Sequence, residues 1–368
     1  MAQGTRHKKP VYPSPSPDPD PLTLKPIKHI AVMRLSAMGD VAMTVPVLRA
    51  FSQQYPEVSI TVISRPFFRP FFDGIPNLSF FEFDDKQRHK DFFGLLRLFG
   101  DLKKLNIDAF ADLHNVLRSK IIRTLFALSG KKTAFVDKAR AAKKALIRPE
   151  NKIFEPLPTM FERHAEVFRQ LGFPVNLSNP KFPQKPEFTS ELLSVTGKKE
   201  GKWIGIAPYA QYDSKVYPAD LMQQVIDQLS ENHNHKLFLF GGKDEVNKLE
   251  AFAQNRKNII VVAGKINFKQ ELQLISHLDI MLSMDSGNAH IAAMLGVEVI
   301  TLWGATHPYA GFLPFNQKME NALTADRNQF PKIPTSVYGN KKVEGYEDAM
   351  RTIAPSVIVS SIQSQLAV

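Results

Sequence analysis

The 368-residue sequence contains no cysteine, which excludes disulfide bonds, thiolate metal sites and a cysteine nucleophile. It has no run of about 18 apolar residues, the length that a membrane-spanning helix requires, and no apolar signal segment near its start. The glycine patterns G-x-G-x-x-G and G-x-x-x-x-G-K-[ST] are missing as well, so neither a dinucleotide-binding fold nor a P-loop is supported. We therefore expect a cytoplasmic protein outside those two nucleotide-binding classes.

The composition and patterning of the chain predict two α/β domains. Hydrophobic residues make up 43% of the sequence, enough for two cores of ordinary size. Residues 1–26 are rich in proline and poor in apolar residues, which predicts a disordered tail. A proline-rich stretch interrupts the strand–helix alternation, and we place a linker over 181–200. The predicted domains are 27–180 and 201–354, and we expect the terminal helix at 355–368 to pack back on the first domain.

Apolar runs alternate with helical stretches along both domains, and this alternation indicates parallel sheets covered by helices. The candidate strands are His29–Arg34, Ser59–Ser64, Asp108–Leu113, Thr133–Val136, Trp203–Ala207, Lys236–Phe240, Ile259–Ala263, Asp279–Met284 and Val297–Leu302. Candidate helices include Val41–Gln54, Asp91–Leu105, Ser119–Leu128, Phe161–Leu171, Ala219–Glu231, Val246–Gln254 and Phe268–His277.

The segment Asp285–His290 is the most informative part of the chain. A buried strand is predicted before it and a short helix, 291–295, after it. Such a turn aims free backbone N–H groups and the positive end of the helix dipole at one point, a geometry that binds phosphate. The alternative is an ordinary turn in which Ser286 or Asn288 caps the helix.

Three other turns place polar residues after predicted strands. Gly39 permits close approach of the backbone, and Asp40 is either a helix cap or a carboxylate that takes a proton from a hydroxyl. Lys215 is either a solvated loop cation or a clamp on a leaving diphosphate. Asp244 or Glu245 could accept hydrogen bonds from ribose hydroxyls. Because ligands bind at the carboxyl ends of parallel strands, the shared position of these turns favours one cleft between the two domains.

The net charge of +11 is concentrated in the first predicted domain. Residues 86–148 contain 16 Lys and Arg against five Asp, a surplus of 11. Such a surplus indicates an anionic partner, which is a membrane surface, an anionic glycolipid or nucleic acid; the alternative is a set of solvated helix faces. No recognised nucleic-acid motif accompanies the charge, so we expect no nucleic-acid partner.

Four ordered segments resemble the signatures of glycosyltransferase family 9, the lipopolysaccharide heptosyltransferases: RLSAMGDVAMTVPVLRAF (34–51), IGIAPYAQYDSKVYP (204–218), LFGGKDE (239–245) and SMDSGNAHIAAMLGVEVITLWGATHP (283–308). The resemblance extends from about residue 29 to residue 315. It implies a GT-B architecture, in which two Rossmann-like domains with parallel sheets face a central cleft. The N-terminal domain would bind the acceptor and the C-terminal domain the nucleotide sugar.

The resemblance also implies a reaction and the residues that perform it. The reaction is inverting, metal-independent transfer of L-glycero-D-manno-heptose from an ADP-activated donor to a lipid A–Kdo core, an anionic glycolipid. Asp40 matches the catalytic carboxylate and Lys215 the lysine that binds the donor phosphates. The other donor-binding matches are Ser214, Asp244 or Glu245, Asp285, Ser286, Gly287, Asn288 and His290. The acceptor side of the cleft would be lined by Arg34, Ser36 and Gly39. No metal or other cofactor is implied.

The sequence departs from the family pattern in places and leaves alternatives open. Arg34 stands where some members have lysine, Tyr217 stands where tryptophan is common, and residues 335–353 lack the cysteines frequent in that region. A sugar-nucleotide epimerase of the same architecture would turn over the nucleotide sugar without an acceptor. A non-catalytic protein that binds nucleotide sugars or glycolipids would not consume it. Contact of the basic region 86–148 with the cytoplasmic face of the inner membrane is a further option.

Overall fold

The computed structural model describes residues 26–367, which form two parallel β-sheets with helices packed around them. The tail predicted for 1–26 therefore lies outside the described residues, apart from Pro26. None of the helices within 26–367 is long and apolar enough to cross a membrane.

The first sheet belongs to the N-terminal domain. Its strands are β1 (His29–Met33), β2 (Ser59–Ser64), β3 (Leu78–Glu82), β4 (Ala109–Asp112) and β5 (Lys132–Phe135). The accompanying helices are α1 (Met38–Ala42), α2 (Val45–Gln54), α3 (Phe92–Lys103), α4 (Leu117–Leu128), α5 (Arg140–Ile147) and α6 (Met160–Leu171). The strand order is β3-β2-β1-β4-β5, so the chain reverses its direction of progress between β1 and β4. That reversal opens a crevice beside the carboxyl end of β1.

The second sheet has six strands. They are β6 (Lys202–Ala207), β7 (His235–Leu239), β8 (Ile259–Val261), β9 (Ile280–Met284), β10 (Glu298–Trp303) and β11 (Ala322–Thr324). The helices are α7 (Ser190–Thr196), α8 (Ala219–Ser230), α9 (Val246–Ala253), α10 (Phe268–Ser276), α11 (Gly287–Met294) and α12 (Pro355–Leu366). The order is β11-β10-β9-β6-β7-β8, with the reversal between β6 and β9. Strand β9 is buried along its whole length, as expected for a central strand covered on both faces.

Three local predictions differ from the structure. The single helix predicted over Val41–Gln54 is two helices, α1 and α2, because Pro46 lacks a backbone N–H and cannot continue the preceding helix. Strands β3 and β11 were not predicted; both are at sheet edges, and β3 is only half buried. The predicted linker at 181–200 contains helix α7 and packs on the second domain, where Phe188 stacks on Trp203.

The expectation that the terminal helix returns to the first domain is wrong. Helix α12 packs against α8, β9 and β10 of the second domain. Its buried side chains Ile358, Val359 and Ile362 share a hydrophobic core with Tyr217 and Met350. The helix follows directly on this core, so its apolar face is covered without crossing between the domains.

The two domains contact each other on both sides of the cleft. On one side Phe67 stacks on Phe268 with ring centroids 4.4 Å apart, and on another Phe161 packs on Phe315 at 4.9 Å. Lys152 also reaches across and donates hydrogen bonds to the carbonyls of Lys332 and Pro334. These contacts bring the carboxyl ends of β1, β6 and β9 to face one another.

Candidate active site

A cavity of about 250 Å³ lies between the carboxyl ends of the two sheets. Seven residues that the sequence singled out line it from both domains: Gly39, Asp40, Lys215, Asp285, Ser286, Gly287 and His290. The positions follow from topology, because the turns after β1, β6 and β9 all open at the two switch points.

Asp40 lies in the first turn of α1, and its carboxylate is about one-third exposed. Its Oδ2 atom is 2.7 Å from the Arg34 guanidinium and accepts a hydrogen bond from the Ala37 N–H at 3.2 Å. Burial raises the pKa of Asp40, but the charge of Arg34, the Ala37 N–H and the nearby His290 outweigh that effect and hold the pKa below its usual value. The carboxylate is therefore ionised at neutral pH.

Arg34 is held in place by the backbone around it. Its Nη1 donates to the Leu113 carbonyl at 2.8 Å and its Nε to the Ser36 carbonyl at 2.9 Å. Ser36 thus contributes its main chain to the site. The guanidinium is buried yet fully paired, which fixes the position of the one carboxylate that faces the cavity from this domain.

Two glycines allow the domains to touch beside Asp40. A Cβ at Gly39 would lie 3.1 Å from the Cα of Gly287 and 3.2 Å from the His290 ring, and a Cβ at Gly287 would lie 2.8 Å from the Met38 side chain. Helix α1 of the first domain and helix α11 of the second therefore meet at a spacing that larger residues would prevent.

The facing side of the cavity carries a second ion pair. Lys215 Nζ is 2.9 Å from Asp285 Oδ2, and both side chains are nearly buried. The same carboxylate oxygen accepts a hydrogen bond from Thr306 at 2.8 Å. Gly339 packs directly on the aliphatic stem of Lys215. A Cβ at position 339 would overlap that side chain, so only glycine leaves room for the lysine here. The ammonium is thus held at the cavity wall with a counter-ion beside it.

The turn after β9 leaves the start of α11 uncapped by side chains. Ser286 precedes the helix without capping it and instead shares a hydrogen bond with Ser283. The buried amide oxygen of Asn288 has no partner among the described residues. The N–H groups of the first turn have no intrahelical acceptor, and they point out of the helix at the positive end of its dipole. This arrangement suits an anion at the cavity.

His290 packs against the glycine contact. Its side chain is 6% exposed, and its Nδ1 has no partner among residues 26–367. Burial lowers the pKa of His290 to about 4, although Asp285 and Asp40 act in the opposite direction. The imidazole is therefore neutral at pH 7 and can offer one donor and one acceptor.

Four predicted donor-binding residues are not among those that line this cavity: Asn288 of α11, described above, and Ser214, Asp244 and Glu245. Ser214 donates its hydroxyl to the Gly339 carbonyl at 2.6 Å. Glu245 accepts the Gly242 N–H at 2.6 Å, so its carboxylate closes its own turn. Asp244 is exposed in the same turn.

Sequence reasoning missed several members of the site. Phe312 and Tyr338 line the cavity, and the buried Lys143 of α5 lies 4.0 Å from the Phe312 ring centroid. Tyr338 lies within residues 335–353, the segment compared with the family pattern above, and that resemblance was the one sequence signal that could have pointed to it. Nothing in the sequence pointed to Phe312 or Lys143, since they are far apart along the chain and meet only across the domain contact.

Basic and neutral nitrogen groups surround Asp40 in the first domain. Burial, together with the charges of Arg34 and Lys138, lowers the pKa of His114 to about 3. Burial also lowers the pKa of Lys138, with Arg34 and Arg140 acting in the same direction. The half of the cleft formed by the first domain is therefore cationic. Within the described part of the chain, no group of three or more His, Asp or Glu side chains is arranged to hold a metal ion.

Comparison with known proteins gives one consistent family. A model of glycosyltransferase family 9 (heptosyltransferase) matches residues 95–340, a range that begins after Asp40. A lipopolysaccharide core heptosyltransferase of Haemophilus influenzae is 26% identical over 292 residues, which cover 76% of this chain and 80% of that protein. Lipopolysaccharide heptosyltransferase 1 of Campylobacter coli is 26% identical over 339 residues, covering 82% and 93%.

Solved structures show the same fold. A family 9 glycosyltransferase from Veillonella parvula superposes with a TM-score of 0.71 at 19% identity, covering 92% of this chain and 97% of that one. The ADP-heptose lipopolysaccharide heptosyltransferase II of Escherichia coli gives a TM-score of 0.65 at 19% identity, with 92% and 98% covered. The family and the GT-B architecture implied by the sequence are thereby confirmed. The chain belongs to glycosyltransferase family 9, the heptosyltransferases, and is a glycosyltransferase of two Rossmann-like domains.

Proposed function

We propose that this protein transfers a heptose from an ADP-sugar to a lipopolysaccharide core acceptor of the lipid A–Kdo type, with inversion and without a metal. One observation carries the proposal: an ionised carboxylate, Asp40, and an anion-binding wall, Lys215 with the start of α11, face the same cavity from opposite domains. The names of the relatives supply the substrate classes, since both curated relatives described above are lipopolysaccharide heptosyltransferases.

Asp40 acts as the general base. Its contacts with Arg34 and Ala37 use Oδ2, which leaves Oδ1 to accept the proton of the acceptor hydroxyl. As that proton moves to Asp40, the acceptor oxygen bonds to the anomeric carbon from the face opposite the diphosphate. The bond from that carbon to the phosphate oxygen breaks, and ADP leaves with the electron pair.

The second domain stabilises the leaving diphosphate. Negative charge grows on the phosphate oxygen as the glycosidic bond breaks, and Lys215 and the N–H groups at the start of α11 are placed to receive it. In the absence of donor, Asp285 balances the lysine charge at 2.9 Å. The diphosphate then replaces part of that interaction instead of meeting an unpaired buried cation.

The cationic acceptor half of the cleft fits an anionic sugar. Arg34 pairs with Asp40 at 2.7 Å, and the charge of Asp40 acts on the pKa of both His114 and Lys138, so all three lie near Asp40. Carboxylate or phosphate groups on the acceptor would pair with Lys138 and Arg140 beside the base. This pairing would place the hydroxyl of an anionic glycolipid at Asp40.

We further propose that the first domain meets the cytoplasmic face of the inner membrane through α3 and α4. Phe92 and Phe93 begin α3 and are 58% and 71% exposed, and Leu117 at the start of the adjoining α4 is 76% exposed. Arg118 and Lys120 follow on α4 within the basic region 86–148. Exposed aromatic side chains beside basic residues favour binding to an anionic lipid surface.

The experiment is a transfer assay with ADP-heptose and a Kdo–lipid A acceptor in the absence of divalent cations, with the anomeric configuration of the product read by NMR. We expect an inverted glycoside and no turnover when the acceptor is omitted. Retention of configuration would contradict direct displacement. Conversion of the nucleotide sugar without acceptor would instead support an epimerase, and binding without consumption a non-catalytic protein.

A further inference from the structure

Arg49 is a buried cation that the reaction leaves unused. It lies on α2, on the side of the domain contact away from Asp40, and is only 8% exposed. Its Nε has no hydrogen-bond partner, and no ion pair is formed by its guanidinium with any of residues 26–367. Burial lowers the pKa of Arg49, and no carboxylate offsets that effect.

An unpaired buried guanidinium is unusual because desolvation of a charge is costly unless hydrogen bonds or a counter-ion replace the water. Arg34 illustrates the ordinary solution, since it is equally buried but bonds to Asp40 and to two backbone carbonyls. Arg49 has the donors for the same kind of pairing and lacks the acceptor. The pocket around Arg49 therefore indicates what kind of molecule could supply the missing acceptor.

Arg49 lines a pocket of about 300 Å³ formed by both domains. The walls are mainly apolar and include Phe71, Leu272 and Met294. At the mouth, Lys269 pairs loosely with Asp73 at 3.9 Å, and both side chains are more than half exposed. The pocket is thus an apolar chamber with one buried cation in its wall and a solvated ion pair outside.

The pocket is separate from the catalytic cavity. The pocket and the cavity share no lining residue: the pocket touches α11 at Met294, the last residue of that helix, whereas the cavity touches it between Gly287 and His290. His290 and Met294 are four residues apart, about 6 Å along the helix axis. A ligand in the pocket would therefore leave the donor site free.

We infer that this pocket is a second ligand site, which takes a molecule with an apolar chain and one anionic head, a carboxylate or a phosphate. The head pairs with the Arg49 guanidinium and the chain lies along the apolar walls. Because those walls come from both domains, the bound molecule bridges them on the side away from the reaction. Neither the transfer reaction nor its substrates are needed for this binding.

Calorimetric titration of the full chain with octanoate, octyl phosphate and octanol tests the inference directly. We expect both anions to bind and octanol to bind at least about tenfold more weakly, since hydrogen bonds to a charged group are the stronger kind. Saturating ADP should leave the anion affinity unchanged. Equal affinity for octanol, displacement by ADP, or no binding of either anion would each overturn the assignment. A difference between octanoate and octyl phosphate identifies the preferred head group.

Two variants locate the binding. Arg49→Met keeps the stem and removes the charge, and should weaken octanoate binding about tenfold or more. The matched control Lys265→Met removes a half-exposed cation that pairs with Glu250 and does not line the pocket, and it should change the affinity less than about threefold. An equal loss in both variants would mean general charge attraction and would overturn the site. If Arg49→Met does not fold, Gln273→Trp fills the pocket with Arg49 intact, and undiminished octanoate binding in that variant would likewise overturn it.

Discussion

Two ion pairs organise the charges of the cleft at the scale of single residues. Arg34 holds Asp40 in the first domain, and Asp285 holds Lys215 in the second. In each pair one partner would act on a substrate and the other balances its charge. Removing one partner of a buried pair leaves the other uncompensated, so single substitutions here change both the local charge and the geometry.

Substitution of Lys215 by alanine should weaken ADP binding and lower the turnover about a hundredfold or more, because a positioned charge opposite the leaving group is lost. Titration with ADP and steady-state kinetics measure the two effects. Lys243→Ala is the control, since that lysine is exposed in the neighbouring turn after β7. ADP affinity that matches the unsubstituted protein would remove Lys215 from the phosphate-binding role.

Substitution of Arg34 by methionine should shift the acid limb of the pH profile. Burial raises the pKa of Asp40 and Arg34 lowers it, so loss of the arginine leaves burial dominant and raises that pKa. The base is active when ionised, and kcat/KM should therefore begin to fall at a higher pH than in the unsubstituted protein. Arg69→Met, an exposed arginine near Glu82, serves as the control. An acid limb that does not move would contradict this role of Arg34.

At the scale of secondary-structure elements, the contact of α1 with α11 sets the distance between Asp40 and the turn after β9. Gly39→Ala would force these helices apart, because the new Cβ meets the Gly287 backbone at 3.1 Å. At such a contact the neighbouring backbone must give by a few tenths of an ångström. Since a displacement of about 1 Å costs about a hundredfold in rate, we expect kcat/KM to fall about three- to tenfold.

Gly100→Ala is the matched control for that substitution. Gly100 lies in α3, where a Cβ would meet nothing within 4 Å, and alanine favours the helix by about 1 kcal/mol. Circular dichroism checks the fold of both variants, and the transfer assay measures their rates. Unchanged kcat/KM in Gly39→Ala would show that the helix contact does not set the reacting distance.

The elements that carry the site were the predictable ones. Strand β9 and the turn after it are a continuous apolar run followed by Ser-Gly-Asn, a local pattern that needs no tertiary information. Edge strand β11 was missed because it has only three residues, all half buried. The unpredicted helix α5 carries a basic, alanine-rich sequence whose buried residues are Lys143 and Leu146.

Side-chain partners could not be read from the sequence in the same way. The turn containing Asp40 placed that carboxylate near Arg34, but the pairing of Lys215 with Asp285 joins residues 70 positions apart. Gly339, which packs on Lys215, is further still along the chain. The packing of α12 was mispredicted because the sequence shows that the helix has an apolar face but not which domain covers it. In the fold, Tyr217 and Met350 of the second domain cover that face.

At the scale of the whole molecule, charge and apolar exposure are both concentrated on the first domain. The double substitution Phe92→Ser and Phe93→Ser should reduce sedimentation with anionic phospholipid vesicles, because each buried ring contributes roughly 1.5–3 kcal/mol to insertion. Neutral vesicles and high salt should reduce binding of the unsubstituted protein, since the basic region attracts the surface. Val357→Ser, half exposed on the second domain, is the control. Equal sedimentation of all variants would contradict membrane contact through α3.

The central claim is that Asp40 removes the proton from the acceptor, and Asp40→Asn tests it most directly. The measurement is heptose transfer at saturating donor and acceptor, with ADP affinity determined on the same preparation. Asp91→Asn is the matched control, since Asp91 also begins a helix of the first domain and asparagine preserves its cap. We predict loss of about a hundredfold or more of the transfer rate with unchanged ADP affinity. Retention of most of the transfer rate in Asp40→Asn would contradict the mechanism.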